Sequence, residues 1–353
     1  MSGPGWTWSS GPAGRRPTKQ RRRSVKFRSV GRRSRSSRRW SPWNTLRSSL
    51  RATVPPEIHA AGGGPDLEGL ARRAVAGDAR ALEELCRHLQ DLVYRLALRF
   101  SSDPEAAADA TQEILILVIT HLAEFEGRSK LTTWVYTIAS RHLLRSVRGP
   151  VELSVAGPEP FADWLDRNLA PDSPDHFDEA EYRLLAGEVR LACTYGMLLA
   201  LSRPLRLAYL LGDLVGLSDV DGAQTLGITR EAFRQRLARA RTVMRGIIAD
   251  RCGLVRAEHP CRCDRQIDSS IAYGILDPRR PVFSTLPGAA APIPAGSLSA
   301  AARELDLATA IAEAYRSGPQ FRAPERVWRS LQRACPALTG PHEQADRADR
   351  SET

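Results

Sequence analysis

From Asp66 to Arg148 apolar residues return every three or four positions: Leu67, Leu70, Ala71 and Ala74, then Leu82, Leu85, Leu89, Leu92, Val93, Leu96 and Phe100. That period marks one face of an α-helix rather than the alternation of a strand. Asp103-Pro104-Glu105 supplies an N-cap acceptor, a proline where no N–H is needed, and an acid at the positive end of the helix dipole. It predicts a helix from there to about Phe125. Positions 107, 111, 114, 115, 118 and 122 give that helix an apolar stripe, with Asp109, Gln112, Glu113, Ile116 and Thr120 on its other side.

A further helix is predicted from Leu131, with Leu131, Val135, Ile138, Ala139 and His142 facing a core. Thr133, Thr137, Ser140, Arg141 and Arg148 face away, and Trp134 and Tyr136 lie near the borders. Residues 149–181 read as a linker, with nine acids against one Arg and five Pro. Helical periodicity resumes from Tyr182 to about Asp250. Beyond Cys252 lie a cysteine-bearing stretch, a Pro/Gly/Ala linker near 278–298, and two short helices, Ser299 to Tyr315 and one starting at Pro324. No alternating pattern is long enough for a sheet, so the expected fold class is all-α: two small helical domains joined by an acidic flexible linker.

The 353-residue chain carries a formal charge of +11, but its distribution matters more than the total. Residues 1–53 hold 13 Arg and 2 Lys and no acid, leaving 36 basic against 40 acidic residues from 54 onward. Binding of nucleic acid by the folded part would therefore need local clusters. Residues 1–65, rich in Arg, Ser, Gly and Pro, are expected to be disordered. A basic arm on nucleic acid, a targeting peptide, and an upstream start codon are three open readings of them. No apolar run reaches membrane-spanning length, and six cysteines without a secretory pattern suggest a reducing compartment, the cytoplasm by default.

Two clusters carry chemistry. The first, "GRSKLTTWVYTIASRHLLRSVR" (127–148), places short hydroxyls beside cations with an aromatic nearby. Hydroxyls and Arg can hydrogen-bond bases and phosphates, and an aromatic can stack on an unpaired base; a core Trp134 with solvated charges is the plainer reading. The second, "GLSDVDGAQTLGITREAFRQRLARARTVM" (216–244), breaks at Gly227-Ile228 and restarts at the N-cap Thr229, with Phe233, Leu237, Ala240 and Met244 inward. Arg230, Glu231, Arg234, Gln235, Arg236, Arg239 and Arg241 lie on the other faces. This is a helix-turn-helix layout, whose second helix enters the major groove, although many helical hairpins are also Arg-rich.

Taken together, "DATQE", "FEG…TTWVYTIA" and "LGIT…RQRLARAR" stand in the order and spacing of a known family over roughly residues 66–251. The chain resembles bacterial RNA polymerase sigma factors of the extracytoplasmic-function group, with a C-terminal extension. The resemblance implies sigma region two at 66–149, the acidic linker at 150–181, region four at 182–251 and an extension at 252–353. It implies a promoter-specificity subunit without catalysis of its own, with polymerase core (beta-prime clamp helices and beta flap) and promoter DNA as partners. An anti-sigma factor is a further candidate partner, and no membrane insertion is expected.

By the resemblance, Asp109, Gln112, Glu113 and Ile116 bind the polymerase core. Arg128, Ser129, Lys130, Thr133, Trp134, Thr137 and Arg141 face the minus-ten element. Thr229, Arg230, Glu231, Arg234, Gln235, Arg236 and Arg239 face the minus-thirty-five element. Departures from the family are Gly222, where a bulky apolar residue is usual, Asp219, where an aromatic is, and the greasy "ILILVIT". Gly inside a helix costs roughly 1 kcal/mol against Ala, which bears on the rigidity of region four.

Cys252, His259, Cys261 and Cys263 fall within twelve residues, four candidate ligands for a tetrahedral zinc in a spacing unlike a standard finger. Reduced cysteines after the last helix, or a redox-sensing site, are the other readings; no other cofactor is expected. A stand-alone helix-turn-helix regulator is the alternative function, and it leaves the "DATQE" stripe and the aromatic basic helix unexplained. Paired carboxylates, a phosphate-cradling Gly loop and a nucleophile–base pair are not found, which disfavours an enzyme.

Overall fold

Asp66, Asp78, Asp103, Asp178, Ser218 and Thr229 each take up backbone N–H groups left open at a helix start, and these six side chains punctuate the fold. In the computed structural model the described residues are 65–155, 157–170, 177–256, 258–289 and 307–338. Most of the basic segment 1–65 and the first part of the helix expected from Ser299 lie outside them. All described residues belong to one compact unit.

In the first half, α1 (Leu67–Val75), α2 (Ala79–Ser101), α3 (Pro104–Thr120) and α4 (Leu131–Arg145) pack around one apolar core. α3 stops at Thr120, short of the expected Phe125, and the chain tightens into a 3-10 turn, Leu122–Glu124. α4 stops at Arg145, with Gly149-Pro150 following, so Arg148 is not on the helix as expected.

The acidic stretch expected as a flexible linker is helical over much of its length: α5 (Pro150–Val155) and α6 (Pro158–Arg167). Prolines sit at the first helical position of both, where their missing N–H costs nothing. The second half comprises α7 (Glu179–Leu199), α8 (Arg203–Tyr209, running into a π-turn at Leu210–Leu214), α9 (Asp219–Leu226) and α10 (Arg230–Arg251). α9 ends on Gly227 at φ 62°, a left-handed cap that suits glycine. Ile228 follows and Thr229 caps α10, which is the expected helix-turn-helix. After it come α11 (Ile267–Ala272), α12 (Leu307–Ser317) and α13 (Glu325–Ala334). The described residues form no strand; Cys252 and Cys261 meet in an isolated bridge.

The two halves pack on each other. α9 lies against α4, Ser102 Oγ donates to the Tyr195 carbonyl (2.7 Å), and Arg206 of α8 reaches the Phe100 carbonyl (2.6 Å). Arg206 is fully buried and also donates to the carbonyls of Leu198 and Leu201. Glu152 of α5 sits 3.1 Å from Arg206 and 2.7 Å from Arg203, so a carboxylate of the acidic stretch neutralises two guanidiniums at the junction. Burial pushes Arg206 down to about 10, with Glu152 opposing. Burial raises the Glu152 carboxyl, but its bonds to Arg203 and the charge of Arg206 outweigh that and hold it below its usual value.

Candidate nucleic-acid interface

Around α4 the buried positions sweep one continuous arc: Leu131, Val135, Ala139, Leu143, Tyr136, Ser140 and Thr133 at 100° per residue. The open arc carries Trp134, Thr137, Ile138, Arg141, Leu144 and Arg145. The expected inward face was therefore too narrow and turned. Ile138 and His142 are half-exposed, while Thr133 (7% exposed) and Ser140 (1%) are inside. α4 is covered both by α2 and α3 and by α9 of the second half, and a one-sided helical period cannot announce a second cover.

The open arc lines a groove of about 910 Å³ whose opposite wall is α3. Asp109, Glu113 and Leu117 come from α3, and His121 is the residue that ends it. Ser129, Thr133, Trp134, Thr137, Arg141 and Arg145 come from α4 and the loop before it. The structure thus brings together two sets of residues assigned to different partners. Gln112 and Ile116 do not line the groove; Ile116 is half-buried and packs against the core. Arg128 and Lys130 also lie outside it and are exposed, Arg128 pairing with Glu126. The loop turns at Gly127, φ 72°.

One wall of the groove is acidic and the other basic. His142 Nε2 of α4 stands 3.6 Å from Glu113 Oε2 of α3, and His121 Nδ1 is 2.8 Å from the Glu124 carboxylate. Phosphate would be repelled by Asp109 and Glu113, so a strand laid here must follow the α4 rim, where Arg141 and Arg145 repeat one turn apart. Trp134 is half-exposed, with its ring 5.6 Å from Phe125 at 54°, a rigid aromatic edge at that rim. Arg145, Val147 (93% exposed) and Gln224 of α9 also belong to the groove and were not foreseen. For Arg145 the signal was available, four residues after Arg141; Gln224 arrives from a distant part of the chain.

The second cluster stands apart on α10. Thr229, Arg230, Glu231, Arg234, Gln235 and Arg239 are exposed and Arg236 is half-exposed, while Phe233, Ala240 and Met244 are buried. Two of the cations are already engaged. Arg230 Nε donates to Asp219 Oδ2 (2.8 Å), which keeps its guanidinium more basic than usual, and Arg234 lies 3.7 Å from the same carboxylate and 3.1 Å from Glu231. The glycine at 222 has a packing cause. A Cβ there would lie 2.3 Å from the Phe233 ring, so the phenyl group fills the space a larger residue would take.

The proposed zinc set is not assembled. His259 Nε2 donates to the Ala249 carbonyl (2.7 Å), and among the described residues no three His, Cys, Asp or Glu gather as a metal would need. Cys252, Cys261 and Cys263 instead join Cys193 of α7 around an apolar cavity of about 110 Å³. All four are free thiols, and burial raises every one, Cys261 to about 11. They are protonated at neutral pH.

A helical scaffold with a helix-turn-helix and a basic, aromatic-edged helix has the layout of a DNA-binding protein. Comparison with known proteins narrows the class. Residues 85–149 match the Sigma-70 region 2 family. The chain is 31% identical over 179 residues to the probable RNA polymerase sigma-C factor of Mycobacterium bovis, spanning 50% of this chain and 87% of that protein. It is 30% identical over 176 residues to the RNA polymerase sigma-H factor of Pseudomonas aeruginosa, 49% of this chain and 88% of that one. With the ECF RNA polymerase sigma factor SigE of Mycolicibacterium smegmatis it shares 31% over 184 residues, covering 51% and 68%. Among solved structures, CnrH in complex with the cytosolic domain of CnrY aligns at a TM-score of 0.36 and 20% identity, over 51% of this chain and 96% of that one. The chain belongs to the extracytoplasmic-function family of RNA polymerase sigma factors.

Proposed function

We propose that the chain is a non-catalytic specificity subunit that binds RNA polymerase core and directs it to promoters. The α4 side of the groove takes the separated minus-ten strand and α10 reads the minus-thirty-five duplex. The observation that carries this reading is the groove itself, which sets a carboxylate wall for a basic protein partner beside a rim of hydroxyls, Trp134 and arginines suited to a single strand.

In this reading Asp109 and Glu113, with Gln112 and Ile116 on the same helix, dock on the beta-prime clamp helices, and region four approaches the beta flap. Trp134, Thr137 and Arg141 contact the melted strand directly, and Ser129 and Lys130 belong to the loop that holds a flipped base. Flipping costs a few kcal/mol, which pocket contacts offset. Thr133 lines the groove but is only 7% exposed, so it supports α4 more than it offers a contact to DNA. Thr229 caps α10, leaving Arg230, Glu231, Arg234, Gln235, Arg236 and Arg239 toward the duplex. A cytoplasmic location goes with this role; no single described helix is long and apolar enough to cross a membrane. A stand-alone helix-turn-helix regulator would have no use for the acidic wall.

Replacing Asp109 and Glu113 by Lys tests the docking assignment. Both are exposed, so helicity should be unchanged and unfolding free energy should stay within about 0.5 kcal/mol of wild type while co-purification with core polymerase is lost. Retained core binding would remove the assignment.

A further inference from the structure

With its two halves packed together, the chain cannot read both promoter elements at once. Elements centred ten and thirty-five base pairs upstream lie about 85 Å apart on B-form DNA at 3.4 Å per base pair. Yet α9 packs on α4, and Gln224 of the helix-turn-helix shares a groove with Trp134 and Arg141. Even α10, 22 residues long and so about 33 Å, cannot span the difference. The two halves must separate before they act, and something holds them together now.

Residues 307–338 do much of that holding. On α12, the Tyr315 carbonyl accepts from Arg99 of α2 (3.1 Å), and the Tyr315 hydroxyl donates to the Thr194 carbonyl of α7. Arg316 donates to the Asp213 carbonyl (2.6 Å), in the π-turn whose carboxylate binds Arg241 of α10 (2.8 Å). One short helix therefore touches the first half and the recognition helix together. α13 then crosses the first half. Asp91 accepts from the Ala323 N–H (2.9 Å), Arg87 stacks 4.1 Å from the centre of the Trp328 ring, and Arg326 pairs with Glu105. Val327, Trp328 and Leu331 are buried against α2 and α3. Glu105 is one turn before Asp109 on the same face of α3, so a cation of this chain already occupies the end of the acidic stripe.

We propose that residues 307–338 are an intramolecular latch. They keep regions two and four closed, and core polymerase competes with α13 for the acidic face of α3. This rests on the specificity-subunit reading. The apparent affinity for core is then lowered by the fraction of molecules that are closed, and weakening the latch raises it.

The test uses the full chain, titrated against labelled core polymerase, with the radius of gyration measured by small-angle scattering. Arg326→Glu with Trp328→Ala should raise core affinity about tenfold and expand the free protein. Arg326→Glu alone, a half-exposed change that removes one ion pair, should raise it about threefold. Adding Glu105→Arg to Arg326→Glu should restore the compact form and reverse the gain. Equal affinity for wild type and both folded variants, or a weaker one, would overturn the latch while leaving the specificity-subunit reading intact. A wild-type chain and variants that all fail to bind core would bring down that reading and the latch with it.

Discussion

At position 222 the clash a Cβ would meet is with the ring of Phe233, itself wedged beneath the helix-turn-helix and fully buried. The glycine is thus the partner of a large residue rather than a weak point. Gly222→Ala should destabilise the chain by about 1–3 kcal/mol through overpacking, measured by urea unfolding. Gly222→Ala with Phe233→Leu should recover part of that loss, and additive losses would show the two sites are uncoupled. A few residues away, Asp219 gathers Arg230 and Arg234. Removing it as Asp219→Ala should raise affinity for duplex DNA of any sequence and steepen its salt dependence by about one to two phosphate contacts. Arg234→Ala should cost about 1–3 kcal/mol at the upstream element and little elsewhere. Equal losses on all sequences would mean that Arg234 meets phosphate only.

Among elements, the short helix α5 carries a carboxylate buried between two arginines of α8. Glu152 pairs with both Arg203 and Arg206 and is buried with them. Its pKa lies below the unfolded value of 4.5, so its contribution is fully present above that pH and is lost as pH falls through the folded pKa. Glu152→Gln should lower stability by about 3 kcal/mol at pH 7, because it strands buried guanidiniums. The difference from wild type should shrink below pH 4.5; a pH-independent difference would contradict the assignment. The same element shows where sequence reading stops. Apolar period, caps and breakers announced α1 to α4, the helix-turn-helix and α13, because each carries a local repeat and most a local cap or breaker; of the helix expected from Ser299, the described part is α12. Nothing local says that Glu152 will meet Arg206, or that α9 will pack on α4. Those follow from long-range packing, and so the acidic stretch read as loose linker when its charge in fact pins a junction.

On the scale of the whole molecule, the reading couples two jobs that a closed chain cannot perform together. In the proposed function the α3–α4 groove binds core and a melted strand, while α10 reads duplex some 85 Å away at 3.4 Å per base pair. Both follow from one requirement, that a helical scaffold present acids to a protein and arginines with an aromatic to DNA. The most direct measurement is run-off transcription by core polymerase on genomic fragments, with the purified full-length chain as the sole added factor. The account predicts discrete new start sites that vanish with Asp109→Lys/Glu113→Lys and weaken selectively with Arg234→Ala. Transcripts indistinguishable from those of core polymerase alone would contradict it.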